Sequence, residues 1–198
     1  FPYTTLFRSR HLGCRAGLGG MIVRASTEAD AGALAAIYGH HVLHGFGTFE
    51  EVPPEADEMA RRRQAVVERG LPYLVAEQDG VVLGYAYAGP FRLRAAYRYT
   101  VEDSVYIAPA FHGRGVGKAL LSAVIAHCEA LGLRQMFAVI GSSENAGSIA
   151  LHAALGFTPA GMGKSVGWKQ GRWVDIVWMQ RALNDGDGSA PQGDGVLR

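Results

Sequence analysis

The chain has 198 residues, with 19 Lys+Arg against 18 Asp+Glu and a formal net charge of +1. Hydrophobic residues make up 48% and charged residues 19%, a globular composition in the size range of one domain. Near-neutral charge removes the electrostatic argument for a general nucleic-acid binder, and no run approaches the roughly 18 apolar residues of a membrane span. The two cysteines, Cys14 and Cys128, are too few for a disulfide framework and read as free thiols in a reducing, cytoplasmic setting.

Residues 1–20 look foreign to the rest: Arg8, Arg10 and Arg15, no acid, and the Gly17–Gly20 run. They lack the apolar stretch of a signal peptide and read as a non-native or disordered leader. From Met21 the pattern is that of a domain. Met21–Arg24 is a short strand. Thr27 can cap a helix through Tyr38, with Asp30 completing a capping box. Gly45-Phe46-Gly47 breaks that helix, and Pro53-Pro54 opens a second through about Arg69. Tyr73–Glu77 and Val81–Ala88 flank Gln78-Asp79-Gly80, a hairpin signal. A loop with Arg92, Arg94 and Arg98 leads to a strand over Thr100–Ile107. The Gly-rich segment His112–Lys118 follows, then a helix over Val116–Leu131 with the stripe Val116, Leu120, Val124, Cys128, Leu131, ended by Gly132. Met136–Ile140 reads as a strand, Ala146–Leu155 as a short helix, and Ser165–Leu183 as a hairpin around Gln170-Gly171. Residues 184–198 are rich in Gly, Asp and Ser and predict a disordered tail. The leader's three arginines, and the tail's three acids with its one arginine, Arg198, account for the net +1 and leave the body, residues 21–183, charge-balanced. The strand–Gly-loop–helix–strand unit predicts local parallel pairing, and the hairpins antiparallel neighbours. The expected class is a mixed-sheet α/β domain.

The Gly-rich loop is the most informative stretch. Gly113, Gly115 and Gly117 alternate between a strand and a helix, where backbone N–H groups and the helix N-terminus can face an anion. A P-loop needs Gly at 112 and Ser or Thr at 119, where His112 and Ala119 stand. A dinucleotide fingerprint needs Gly at 118, where Lys118 stands. A pyrophosphate loop for coenzyme A and a tight turn with no ligand remain.

His112-x-x-Gly115-x-Gly117 resembles the acetyl-CoA motif of the GNAT N-acetyltransferase superfamily, with His in place of the usual Gln or Arg. Tyr99–Tyr106, Asn145–Phe157 and Gly167–Asp175 are similar to the phosphinothricin/methionine sulfoximine acetyltransferase group, and the likeness runs from about Met21 to Leu183. This resemblance implies the GNAT fold and acetyl transfer from acetyl-CoA to the α-amine of a small amino acid or analogue. It implies Glu102 as base, probed against a half-exposed carboxylate paired with Arg98, and His152 and Tyr106 assisting proton movement, against ordinary packing roles. Strand backbone at Val105 and Ile107, and the loop residues His112, Gly113, Arg114, Gly115, Val116, Gly117 and Lys118, would hold the coenzyme. Asn145 and Ser148 join this set, Asn145 on the pantetheine arm or as a helix cap. Phe49, Arg92, Arg94 and Arg98 would contact the acceptor, with Phe46 in the same loop as Phe49. The resemblance also suggests a homodimer, with no nucleic-acid or membrane partner.

His40 and His44 have ligand spacing, but a third ligand is not close in sequence, so no metal is expected. Two rival functions stay open: a GNAT enzyme for another amine, such as a protein N-terminus or a polyamine, and a non-catalytic acyl-CoA sensor.

Overall fold

A computed structural model describes residues 20–196. The leader, apart from Gly20, and Cys14 lie outside the described residues. Within them, seven strands form one sheet, β1 (Ile22–Ala25), β2 (Tyr73–Gln78), β3 (Val81–Pro90), β4 (Thr100–Ile107), β5 (Gln135–Gly141), β6 (Thr158–Lys169) and β7 (Arg172–Ala182). Their spatial order is β1-β2-β3-β4-β5-β7-β6. β4 and β5 run parallel; the other neighbours are antiparallel. This is the expected mixed α/β sheet.

Helices cover both faces. α1 (Ala31–His44) and α2 (Ala56–Val67) pack through Leu34, Ile37, Tyr38, Val42 and Met59 onto Tyr73, Val75 and Tyr85. α3 (Val116–Ala130) packs its buried stripe Val116, Leu120, Val124 and Cys128 on the other face, beside α4 (Ala146–Ala154). Burying such a stripe supplies most of what holds a helix in place. Leu131, expected in that stripe, is instead half-exposed at the helix end. Gly132 and Gly156 follow α3 and α4 with left-handed φ of 76° and 84°. Each closes a Schellman motif, with Leu133 N–H on Cys128 O and Phe157 N–H on His152 O, both 3.1 Å. The capping box forms: Asp30 accepts from Thr27 N–H at 2.7 Å.

Two segments differ from the sequence reading. β6 begins at Thr158, not near Ser165. Its first half, with two register shifts, is an edge strand paired only with β7 and mostly exposed, so it carries no apolar alternation to read. The segment expected as a disordered tail packs on the body through residue 196. Arg134 donates to Gly186 O at 2.7 Å, Val196 N–H donates to Arg98 O at 2.8 Å, and the Val196 side chain is buried. Among the described residues no helix is long and apolar enough to cross a membrane.

Candidate active site

β4 follows β3 from Val101 to Ile107, but its pairing with β5 stops at Asp103↔Ala138. Beyond that point β5 pairs with β7 alone, Val139 against Trp178. The two parallel strands therefore part, and the edge of residues 104–107 facing β5 has no strand partner. Backbone donors and acceptors left this way are a ready template for an extended ligand. Val105 and Ile107 lie on this edge with side chains packed into the α3-side core, so what they offer the opening is backbone. The Ile107 carbonyl accepts from His41 Nε2 at 2.9 Å and His112 Nε2 at 3.0 Å.

The Gly-rich loop sits at the open end of the same strand. Gly113 and Gly115 have φ of 73° and 78°, and a Cβ added at either would meet open space. Gly115 is the N-cap of α3, a helix of 15 residues. A left-handed turn of glycines before a long helix, with room in front of its N–H groups, fits a pyrophosphate. Arg114 and Lys118 are exposed there, Arg114 resting 5.5 Å from the Phe111 ring centre. Val116 is buried, so its side chain belongs to the core and only its backbone faces the loop. Gly117 serves packing: a Cβ there would lie 3.1 Å from Leu151 Cδ2 of α4.

At the closed end of the opening stands a pair that spacing did not reveal. Asn145 caps α4, its Oδ1 accepting from Ser148 N–H at 3.2 Å. One turn on, His152 is buried, and its Nε2 lies 3.0 Å from Asp103 Oδ2. Its Nδ1 faces Ser148 O at 2.7 Å and Ser148 Oγ at 3.3 Å. Phe157, brought round by the Schellman turn, stands edge-on to the imidazole at 5.0 Å. Both ring nitrogens face acceptors, a carboxylate and a carbonyl, so the geometry is that of an imidazolium. Burial alone would lower the His152 pKa; the hydrogen bond and charge of Asp103 outweigh it and move it up.

Glu102 is next to Asp103 in sequence and points to the opposite face, with Ser104 and Tyr106. It is registered between Gly89 of β3 and Phe137 of β5 and is half-buried. Burial raises its pKa, the Arg92 charge offsets part of this, and Asp103 adds to it. Arg92, not Arg98, is thus the cation that acts on Glu102. The Arg92 guanidinium lies over the Phe91 ring at 4.4 Å, and Phe91 stacks on Phe137 at 4.5 Å. Arg98 turns away, over the Tyr99 ring at 4.8 Å, and donates to Ala95 O at 3.0 Å. Arg94 is exposed at the start of the short turn Ala95–Tyr97. Tyr106 is packed edge-on against Tyr38 at 4.9 Å, and burial pushes its hydroxyl pKa well up, so it stays protonated. Glu102 and His152 are therefore not on one face; the sheet separates them. Phe49 is 39% exposed and its ring covers Gly167 of β6.

The acetyltransferase (GNAT) family matches residues 39–157, a stretch holding both β4 and the glycine loop. The chain belongs to the GNAT acetyltransferases. It is 55% identical to a phosphinothricin N-acetyltransferase of Alcaligenes faecalis over 170 residues, 86% of each chain. It is 41% identical to an L-methionine sulfoximine/L-methionine sulfone acetyltransferase of Salmonella typhimurium, across 83% of this chain and 96% of that one. A crystal structure of a GNAT phosphinothricin acetyltransferase from Sinorhizobium meliloti, in complex with AcCoA, superimposes with a TM-score of 0.86. It shares 46% identity and covers 90% of this chain and 98% of that one.

For this GNAT enzyme, sequence reasoning missed three contributors. Asp103 was overlooked beside Glu102, although an acid in the otherwise apolar row Val101, Val105, Ile107 was a signal of a buried partner. His41, which carries no sequence motif of its own, is turned to Ile107 O at 2.9 Å, while the rings of its neighbours His40 and His44 lie 4.7 Å apart. Among the described residues no group of three or more His, Cys, Asp or Glu is placed to hold a metal ion. Lys169, within the Gly167–Asp175 stretch, reaches the Gly45 and Thr48 carbonyls across the fold, a contact that no local pattern signals.

Proposed function

We propose that the enzyme moves the acetyl group of acetyl-CoA directly to the α-amine of a small amino acid or analogue of the phosphinothricin/methionine sulfoximine kind. The observation that carries this reading is Glu102. It is a half-buried carboxylate with a raised pKa, level with the point where β4 and β5 part. Acetyl-CoA supplies an activated thioester. Backbone at Val105 and Ile107, on the edge of β4 without a strand partner, holds its extended arm, with Asn145 and Ser148 alongside. The N–H groups of His112 to Gly117, with Arg114 and Lys118, hold its phosphates.

Glu102 removes the amine proton as the amine attacks; a raised pKa brings a carboxylate nearer the working pH of a general base. Arg92 supplies a planar fork for the acceptor's acidic group, and Arg94 lies farther out on the same exposed loop. His152, held through both ring nitrogens by Asp103 and Ser148, positions the head of α4 beside the arm, and the leaving sulfur takes its proton from solvent. Tyr106 keeps its proton and donates a hydrogen bond. No covalent intermediate on the enzyme is invoked. A homodimer is supported by the exposed Trp168 and Trp173 of the β6–β7 hairpin, and a cytoplasmic setting by the free, buried Cys128.

Thiol release measured with phosphinothricin, methionine sulfoximine, the common amino acids and short peptides tests the reading. Turnover with small α-amines is expected. Turnover with peptides alone would move the enzyme to protein N-termini, and coenzyme binding without thiol release for any amine would make it a sensor.

A further inference from the structure

Lys169, on β6, is 1% exposed, and its Nζ donates to Gly45 O and Thr48 O, both at 2.8 Å. Burial lowers its pKa, and the charges that oppose this, Glu51 and Glu50, lie on the same loop as the two carbonyls. A buried ammonium without a carboxylate in contact is costly and persists only where its donors are satisfied. An apolar side chain would fill the space and leave both carbonyls unpaired.

The segment held this way, residues 45–51, connects α1 to α2. Its other side-chain hydrogen bonds are to its own layer: Tyr38 hydroxyl with Thr48 Oγ1 at 2.7 Å and Glu50 at 2.9 Å, and Arg62 with Glu50 at 2.7 Å. Lys169 supplies the hydrogen bonds that cross from this segment to the C-terminal hairpin, beside Gln170 Nε2 on Leu43 O at 2.8 Å and the Arg172 guanidinium 4.0 Å from the Phe46 ring centre. Two residues before it, Gly167 lies under the Phe49 ring, and a Cβ at that position would enter the ring.

We propose that Lys169 is a positioning residue for the acceptor: by tying the Gly45 and Thr48 carbonyls to β6, it fixes where Phe49 stands and so which amines reach Glu102. The clamp stands on geometry alone; its effect on the acceptor rests on the acetyl-transfer reading above. Fixing a wall of a pocket is worth much in rate or affinity, because small misplacements of a reacting group are expensive.

The test uses the full chain. Lys169→Met keeps the aliphatic stem and removes the donors. Amide hydrogen exchange over residues 45–51 should quicken. The KM for the acceptor should rise about tenfold or more, while the KM for acetyl-CoA stays within about twofold. Gly167→Ala, which displaces Phe49 with Lys169 intact, should give the same selective rise. Combined with Phe49→Ala, Lys169→Met should add little, since both act through one ring. Unchanged exchange in Lys169→Met overturns the clamp. Faster exchange with equal changes in both KM values overturns its role toward the acceptor. If Lys169→Met does not fold, an unchanged acceptor KM in Gly167→Ala overturns that role. If the wild-type enzyme acetylates none of the amines, the acceptor reading falls, and the exchange measurement still decides the clamp.

Discussion

Glu102 and Asp103 are consecutive acids on one strand, and the pleat sends them to opposite sides of the sheet. Glu102 lies on the α1–α2 side, half-buried, with only Arg92 as an opposing charge. Asp103 lies on the α3–α4 side, fully enclosed, with one oxygen on His152 and the other without a hydrogen-bond partner among the described residues. The first is a carboxylate made more basic and left accessible. The second is committed to holding an imidazolium. Both are carboxylates and neighbours in sequence, so the difference in their surroundings is one of face and of what covers it.

Substitution on the open side of the sheet should have the largest effect. Glu102→Gln should lower kcat ~100- to 10,000-fold, the usual worth of a positioned base, with the KM for acetyl-CoA nearly unchanged; wild-type turnover would end the assignment. On the closed side, Asp103→Asn removes the charge that holds the His152 pKa up, so the buried imidazole turns neutral, and the lost charge-assisted bond should cost about 1.5–3 kcal/mol in denaturant unfolding.

The two sides should also differ in pH dependence. The His152 pKa is raised in the folded state, so its contribution to stability is complete below the ordinary imidazole value, about 6.5. That contribution is lost as pH rises through the raised value. His152→Gln should remove this slope from a stability–pH curve. For Glu102 the readout is activity: kcat/KM should rise with pH through a limb above the ordinary glutamate range. Arg92→Ala should push that limb higher still, since the cation lowers the pKa. The smallest effect is expected for Arg98→Ala. With its side chain turned to Ala95 and Tyr99, the acceptor KM should hold within about twofold; a large rise would return Arg98 to the pocket.

Much of this was legible in sequence because it depends on neighbours along the chain. The alternation of β4, the left-handed turn at Gly113 and Gly115, the stripe of α3 and the cap at Asn145 are set by local backbone preference and periodicity. They located the strand and the anion-facing loop, and the resemblance to the acetyltransferases singled out Glu102 on that strand. The parting of β4 from β5, the His152–Asp103 pair across 49 residues, the choice of Arg92 over Arg98 and the Lys169 clamp on Gly45 and Thr48 were decided only by the tertiary fold. So were the edge strand from Thr158 and the packing of residues 184–196, which carry no hydrophobic pattern of their own. The physical reason is that each depends on which groups are brought together from distant parts of the chain and shielded from water. Desolvation and partner geometry, which no spacing encodes, then set whether an acid is a base or an anchor.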